Sequence, residues 1–247
     1  MRFACRIVGA AITIAAINSI AASAQSAPSA GIEVTSDEVR RGLSWSDRRA
    51  AGSGDVALRL GPLDASARVV TLRGSARHDG ADAVADIALG TAWDLGAVRL
   101  RTAATTHVFA GARTRMDYVE LGGSGSFTYG PVQLTAGAEF APAQRAIGGS
   151  NLYLYASANA GIPGTPLTVI ADLGHASGTV DDRLRAQRLR PGGDYTDWRL
   201  AIEHRRGPVT LAIDYVGTDI DRNAAFGPFA DRRPGSDQLL LRARFSL

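Results

Sequence analysis

The stretch Ala85-Asp86-Ile87-Ala88-Leu89-Gly90-Thr91-Ala92-Trp93-Asp94-Leu95-Gly96-Ala97-Val98-Arg99-Leu100-Arg101-Thr102 decides the fold. Before the Gly96-Ala97 break, Ala85, Ile87, Leu89, Thr91, Trp93 and Leu95 share one parity, and Asp86, Ala88, Gly90, Ala92 and Asp94 share the other. After it, Val98, Leu100, Thr102, Ala104 and Val108 oppose Arg99, Arg101, Thr105 and His107. Alternate side chains of an extended strand point to opposite faces, so each run has one apolar and one polar face. Wound as a helix, the same residues would scatter leucines and arginines around the cylinder. The stretch therefore reads as two strands joined by a tight turn.

Outward from it, the same unit recurs. Short breaks at Gly61-Pro62, Gly130-Pro131, Pro163-Gly164-Thr165-Pro166 and Gly207-Pro208 join paired runs, whereas the intervening connections, such as residues 75–82 and 181–194, are longer, polar and rich in Arg, Asp and Gly. Short turns at one rim and long loops at the other predict an all-β protein: an antiparallel up-and-down transmembrane β-barrel of about 12 strands. An even strand number places both chain ends on the short-turn rim. The first strand is expected over residues 31–43, then a polar loop over 44–54, a second strand over 55–60 and a third over 64–72. Runs of roughly ten residues suit a tilted bilayer crossing, and no apolar run would make a membrane helix in the mature chain.

Aromatic residues on the apolar parity fall at two levels, Trp93, Phe127, Tyr129 and Phe245 toward the short turns and Phe140, Trp198 and Tyr215 toward the loops. Two such rings are expected at the two lipid interfaces. Leu239, Leu241, Ala243, Phe245 and Leu247 alternate to the final residue, the pattern of a last strand that outer-membrane assembly machinery recognises.

The first two dozen residues are built differently. Arg2 and Arg6 precede an apolar stretch over 7–22, and Ala22-Ser23-Ala24 offers small residues before Gln25. This predicts a cleaved signal peptide over 1–24 and a single barrel over 25–247, exported to a bacterial outer membrane. The single cysteine, Cys5, would leave with the leader, so neither disulfides nor thiolate chemistry enters. Every one of the 27 Lys and Arg residues is Arg. Without Arg2 and Arg6, 25 Arg face 24 acids, so the mature chain is almost neutral and offers no field for nucleic acid.

The segment Val34-Thr35-Ser36-Asp37-Glu38-Val39-Arg40-Arg41-Gly42-Leu43-Ser44-Trp45-Ser46-Asp47 resembles the opening strand and first loop of the TorF-family porins, proteobacterial outer-membrane proteins. The resemblance continues through Tyr129-Gly130-Pro131-Val132, Asp194-Tyr195-Thr196-Asp197-Trp198 and Asp214-Tyr215-Val216-Gly217-Thr218-Asp219. The chain departs from the family pattern at Glu38, at Trp45 and in not ending on Phe. The resemblance implies a barrel for passive passage of small solutes.

Parity places Arg68, Arg99, Arg101, Arg199, Arg242 and Arg244, with Glu33, Asp86, Glu139, Asp172, Glu203 and Asp214, on the polar face. An Arg facing lipid at mid-membrane costs about 2–4 kcal/mol, so these residues are expected to line a pore. Two roles suit them: a selectivity ladder in water, or mutual ion pairs that hold the barrel's shape. Ala88, Gly90, Ala92, Gly137, Gly161 and Ala212, all small and inward, predict open space rather than a packed plug. The long loops carry Arg48, Arg49, Arg73, Arg77, Arg113, Arg115, Arg183, Arg185, Arg188, Arg190, Arg232 and Arg233. These could grip lipopolysaccharide phosphates in forked contacts; interspersed Asp47, Asp79, Asp181, Asp182, Asp219, Asp221 and Asp231 favour solvated loops instead.

The expected function is a porin-like channel for passive diffusion of small polar solutes or ions. The alternatives are a structural or lipopolysaccharide-binding barrel and an outer-membrane lipid hydrolase. His78, His107, His175 and His204 are the available histidine bases, and none has a spacing that marks a catalytic group. No enzyme activity, cofactor or metal is expected.

Overall fold

The computed structural model describes residues 28–221, 223–230 and 237–247. The leader predicted over 1–24 lies outside them, as do Arg232 and Arg233. The strands are β1 (Ser29–Thr35), β2 (Val39–Arg40), β3 (Leu43–Ser44), β4 (Ala51–Leu60), β5 (Leu63–Ser75), β6 (Ala81–Leu95), β7 (Val98–Ala110), β8 (Tyr118–Tyr129), β9 (Val132–Gln144), β10 (Gly149–Gly161), β11 (Leu167–Ser177), β12 (Tyr195–Arg206), β13 (Val209–Thr218) and β14 (Gln238–Ser246). Twelve of them close into a barrel in which each strand pairs with its chain neighbour, β1 pairs with β14, and β1 pairs with β4 across a separate two-stranded sheet, β2–β3. All barrel pairs are antiparallel, and the start of β1 and the end of β14 both lie on the short-turn rim.

The register confirms the face assignment. Trp93 pairs with Leu100 and Asp94 with Arg99, so apolar meets apolar outside and charge meets charge inside. Ile87, Leu89, Trp93 and Leu95 are each about half exposed, as are Leu200, Ile202, Leu211 and Ile213 on the far wall. A continuous apolar belt of this kind faces hydrocarbon. Trp93, Phe127, Tyr129 and Phe245 ring its short-turn edge, and Phe140 and Tyr215 lie toward the other.

The first strand is shorter than the sequence suggests. It ends at Thr35, not near 43, and β4 begins at Ala51. Between them the chain turns into the bore as the β2–β3 hairpin. Its turn residues Arg41 and Gly42 have φ of 51° and 70°. A two-residue hairpin turn of the type that matches strand twist requires positive φ at both positions. Gly42 is needed for a second reason: a Cβ there would lie 2.8 Å from Asp197 Cβ and 3.1 Å from the Gly217 carbonyl on the wall.

The bore is thus occupied, against the open space read from its small inward residues. One of those residues, Gly137, lies under the ring of Tyr155, and a further inward glycine, Gly174, lies under that of Tyr153. At the loop end the interior is a packed apolar core. Leu43 and Trp45 follow the hairpin turn; Val70, Leu72, Val84, Phe109 and Tyr118 come from the wall, and Met116, Ile147 and Leu189 from the loops.

Candidate functional site

The hairpin's two arginines are the centre of the bore. Arg40 meets Glu38 at 2.9 Å and Asp86 on β6 at 2.8 Å. Arg41 donates to both oxygens of Glu120 on β8, at 2.7 and 3.0 Å, and also to Glu139 on β9. Its guanidinium lies 4.6 Å over the Tyr153 ring. Arg68 on β5 clamps Glu38 at 2.7 and 3.2 Å and reaches Glu33 at 3.4 Å. His107 on β7 bridges Asp86 at 2.7 Å and Glu120 at 3.3 Å. The Tyr195 hydroxyl donates to the Arg41 carbonyl at 2.9 Å. Charge therefore fastens the hairpin to β5, β6, β8 and β9.

Burial alone would raise the Glu38 carboxyl, but Arg40 and Arg68 beside it prevail and hold it below the ordinary carboxylate range. Burial would likewise lower the guanidinium of Arg40; Asp86 and Glu38 more than reverse this. For Arg41, Glu120 and Glu139 overcome the same burial effect. All three side chains stay charged at neutral pH, which makes the hairpin a polyvalent ionic insert.

A second set of pairs spans β11 to β14. Arg199 reaches Asp172 at 2.9 Å and Asp214 at 2.5 Å. Arg242 reaches Asp214 and Glu203 at 2.8 Å and Glu33 at 3.3 Å. Arg244 on β14 crosses over Gly31 of β1 to fork onto Asp55 of β4 at 2.6 and 2.9 Å. That contact staples the seam where the first and last strands meet. Arg99 and Arg101 stand apart near the short turns: Arg99 is 3.6 Å from Asp94 with both side chains more than half exposed, and Arg101 is exposed opposite Ala92 and Ser124.

Two cavities flank the hairpin. One of about 570 Å³ lies toward β10 to β14, among Arg68, Arg199, Arg242, Asp172, Asp214 and Tyr155. The other, about 400 Å³, lies toward β7 and β8, among Thr105, His107, Tyr118 and Glu120. Arg40, Arg41, Glu139 and Tyr153 line both.

Three loop arginines expected to face lipid or solvent are folded inward. Arg77, Arg188 and Arg190 are all buried. Arg188 donates to the carbonyls of Met116 at 2.6 Å and Ala146 at 3.2 Å and to His78 Nδ1 at 3.0 Å. Arg77 reaches the Ser44 and Arg188 carbonyls. Burial pushes the Arg188 guanidinium down to about 10 and His78 well below its ordinary value, so Arg188 is a cation and His78 neutral at pH 7. Together they tie four loops and the hairpin into a lid. Arg115, in contrast, is freely exposed.

The histidines are dispersed. His78 sits in the lid against Trp45 and Phe109, His107 in the ionic network, His175 beside Thr196, and His204 on the outer face opposite Leu211. Among the described residues no group of three or more His, Cys, Asp or Glu converges as a metal site.

Sequence reasoning missed Arg40, Arg41, Glu38 and Glu120 as interior groups. The usable signal was Arg41-Gly42, a turn dipeptide inside an apparent strand.

The fold is that of known outer-membrane channels. The KdgM porin superposes with a TM-score of 0.58 at 6% identity, over 89% of this chain and 99% of that one. The COG4313 outer membrane channel from Pseudomonas putida F1 gives 0.53 at 12% identity, over 91% and 97%. No curated protein matches the chain in sequence. A family model described as a bacterial protein of unknown function, Gcw_chp, matches residues 20–238. A twelve-stranded barrel with an ionic hairpin in its bore is thus the form taken by a member of the Gcw_chp family, to which this chain belongs.

Proposed function

We propose that this protein is a non-catalytic bacterial outer-membrane channel of the TorF porin type, passing small polar solutes or ions by diffusion along its hairpin. The observation that carries this reading is the pair of cavities, about 570 and 400 Å³, beside a charged insert in a bore wrapped by an apolar belt. Twelve strands tilted near 40° give a backbone radius on the order of 12 Å. The hairpin reduces that bore to two slots, each suited to hydrated ions and small polar molecules. Arg68, Arg199, Arg242, Asp86, Glu139, Asp172, Glu203 and Asp214 would then act as paired lining groups, and Arg99, Arg101 and Arg244 as charges nearer the inner mouth. The leader would direct export, and the alternating β14 would present itself to the outer-membrane assembly machinery. The fold shared with the KdgM porin and the COG4313 channel supports the reading.

A second reading draws on the lid: a packed loop end suits a structural barrel, or one that contacts lipopolysaccharide through exposed loop arginines such as Arg115. Single-channel recording of refolded protein in planar bilayers separates the two. The channel reading expects small discrete steps from the native chain and larger ones when residues 36–50 are replaced by a short Gly-Ser link. Silence from both proteins would refute it.

A further inference from the structure

The larger cavity holds a carboxylate whose counter-charge is absent from the wall. Seven carboxylates and five guanidinium groups line it. All five guanidiniums, those of Arg40, Arg41, Arg68, Arg199 and Arg242, are engaged in the ion pairs described above. Asp197 on β12 stands outside those pairs. Its Oδ1 accepts from the Tyr153 hydroxyl at 3.1 Å, while Oδ2 has no partner although the residue is only 6% exposed. Directly opposite on β13 is Thr218, equally buried, whose Oγ1 is also unpartnered. Side chains at directly opposed positions have Cβ atoms about 5 Å apart, so the two oxygens belong to one spot on the wall. The charges acting on Asp197 are Arg41, of opposite sign, and Asp172 and Asp219, of the same sign.

A buried acceptor without a donor costs about 1–3 kcal/mol, and more when it is charged. Groups of this kind find an ion or an ordered water. Here an anionic oxygen and a neutral hydroxyl oxygen are carried by directly opposed residues, in surroundings rich in carboxylate, which repel an anion. A divalent ion would demand six or more oxygens from several carboxylates; a single free carboxylate oxygen matches one positive charge.

We propose that Asp197 and Thr218 form a site for a small monovalent cation and that Asp197 makes the bore cation-preferring, an inference that rests on the bore being a conducting path. The test is the reversal potential of refolded protein in planar bilayers under a KCl gradient, with Asp197→Asn and Thr218→Val compared with the native chain. Thallium(I), a potassium surrogate, provides a second readout through NMR line broadening on the same proteins in detergent. The native channel should favour K⁺ over Cl⁻, and Asp197→Asn should reduce that ratio by roughly fivefold or more, with a smaller loss for Thr218→Val. Conduction with no cation preference, or a preference that survives Asp197→Asn, overturns the inference. A silent barrel that broadens thallium, and loses this in Asp197→Asn, keeps the site and refutes the conducting path; a silent barrel without broadening refutes both. Unchanged heat-modified mobility on gels verifies that each variant is folded.

Discussion

Cutting Arg41 back to Met should release the hairpin from the wall. Arg41 is 17% exposed at its side chain and Glu120 6%, and their forked contact closes at 2.7 and 3.0 Å with Glu139 as a third party. Removing one partner of a buried pair costs about 3–5 kcal/mol, because the remaining charge is left uncompensated. The flanking cavities admit water, which favours the low end, about 3 kcal/mol. Undocking lets that water reach Glu120 and Glu139, so the whole penalty drives the hairpin outward. At 1.4 kcal/mol per tenfold, the undocked population rises roughly 100-fold. The Trp45 amide, which donates to the Glu38 carbonyl at 2.7 Å, reports this directly by hydrogen exchange and mass spectrometry of refolded protein. Exchange at residues 39–45 should accelerate by a comparable factor, and adding Glu120→Gln with Glu139→Gln should restore most of the protection. A change below about threefold in Arg41→Met would refute the view that charge, rather than the apolar packing of Leu43 and Trp45, holds the hairpin.

Three other outcomes follow from the same contacts. Glu38, depressed by Arg40 and Arg68 below its ordinary 4.5, contributes stability that is present above that value and lost as pH falls through its lower folded value. Hairpin exchange, corrected for the intrinsic rate, should therefore accelerate only below about pH 4.5, and Glu38→Gln should blunt that acid response. Arg188→Met should loosen the lid by about 2–3 kcal/mol, since three hydrogen bonds to one buried cation disappear, leaving residues 111–117 and 178–194 open to limited proteolysis while the barrel stays intact. Leu89→Arg, on the outer face, should destabilise the barrel by about 2–4 kcal/mol in urea titrations from vesicles, whereas Ala88→Arg, its inward neighbour, should cost far less.

Alternation carried most of the fold. The contrast of Leu89 and Trp93 with Asp86 and Asp94 is a property of adjacent residues, and the Gly-Pro breaks are local too, so strand number and facing could be read directly. The hairpin could not. Val39-Arg40 and Leu43-Ser44 also alternate and therefore extend β1 on paper, and Arg seldom occupies the positive-φ position that Arg41 takes here. Its partners Glu120 and Glu139 lie 79 and 98 residues away, a distance that no local pattern spans. The buried loop arginines failed for a related reason. Arg188 is surrounded by main-chain carbonyls of other loops, and a carbonyl leaves no trace in residue identity.

The hairpin's ion pairs and the ring contacts of Trp45 fall on consecutive walls: β5 through Arg68, β6 through Asp86, β7 through the rings of His107 and Phe109 against Trp45, β8 through Glu120 and β9 through Glu139, with the neutral Tyr195 bond and the Gly42 contacts left to later strands. The walls from β5 to β9 precede the final third of the chain, whereas the closing seam needs β14. A growing sheet could thus curl around its own insert as a mandrel, and the last strand would then lock it inside like a ship in a bottle. Cysteines at 40 and 86 would be bridged by a bifunctional maleimide ahead of the same reagent's bridging of a pair at 31 and 246 during staged folding; the reverse order would mean that the insert threads an already finished cylinder.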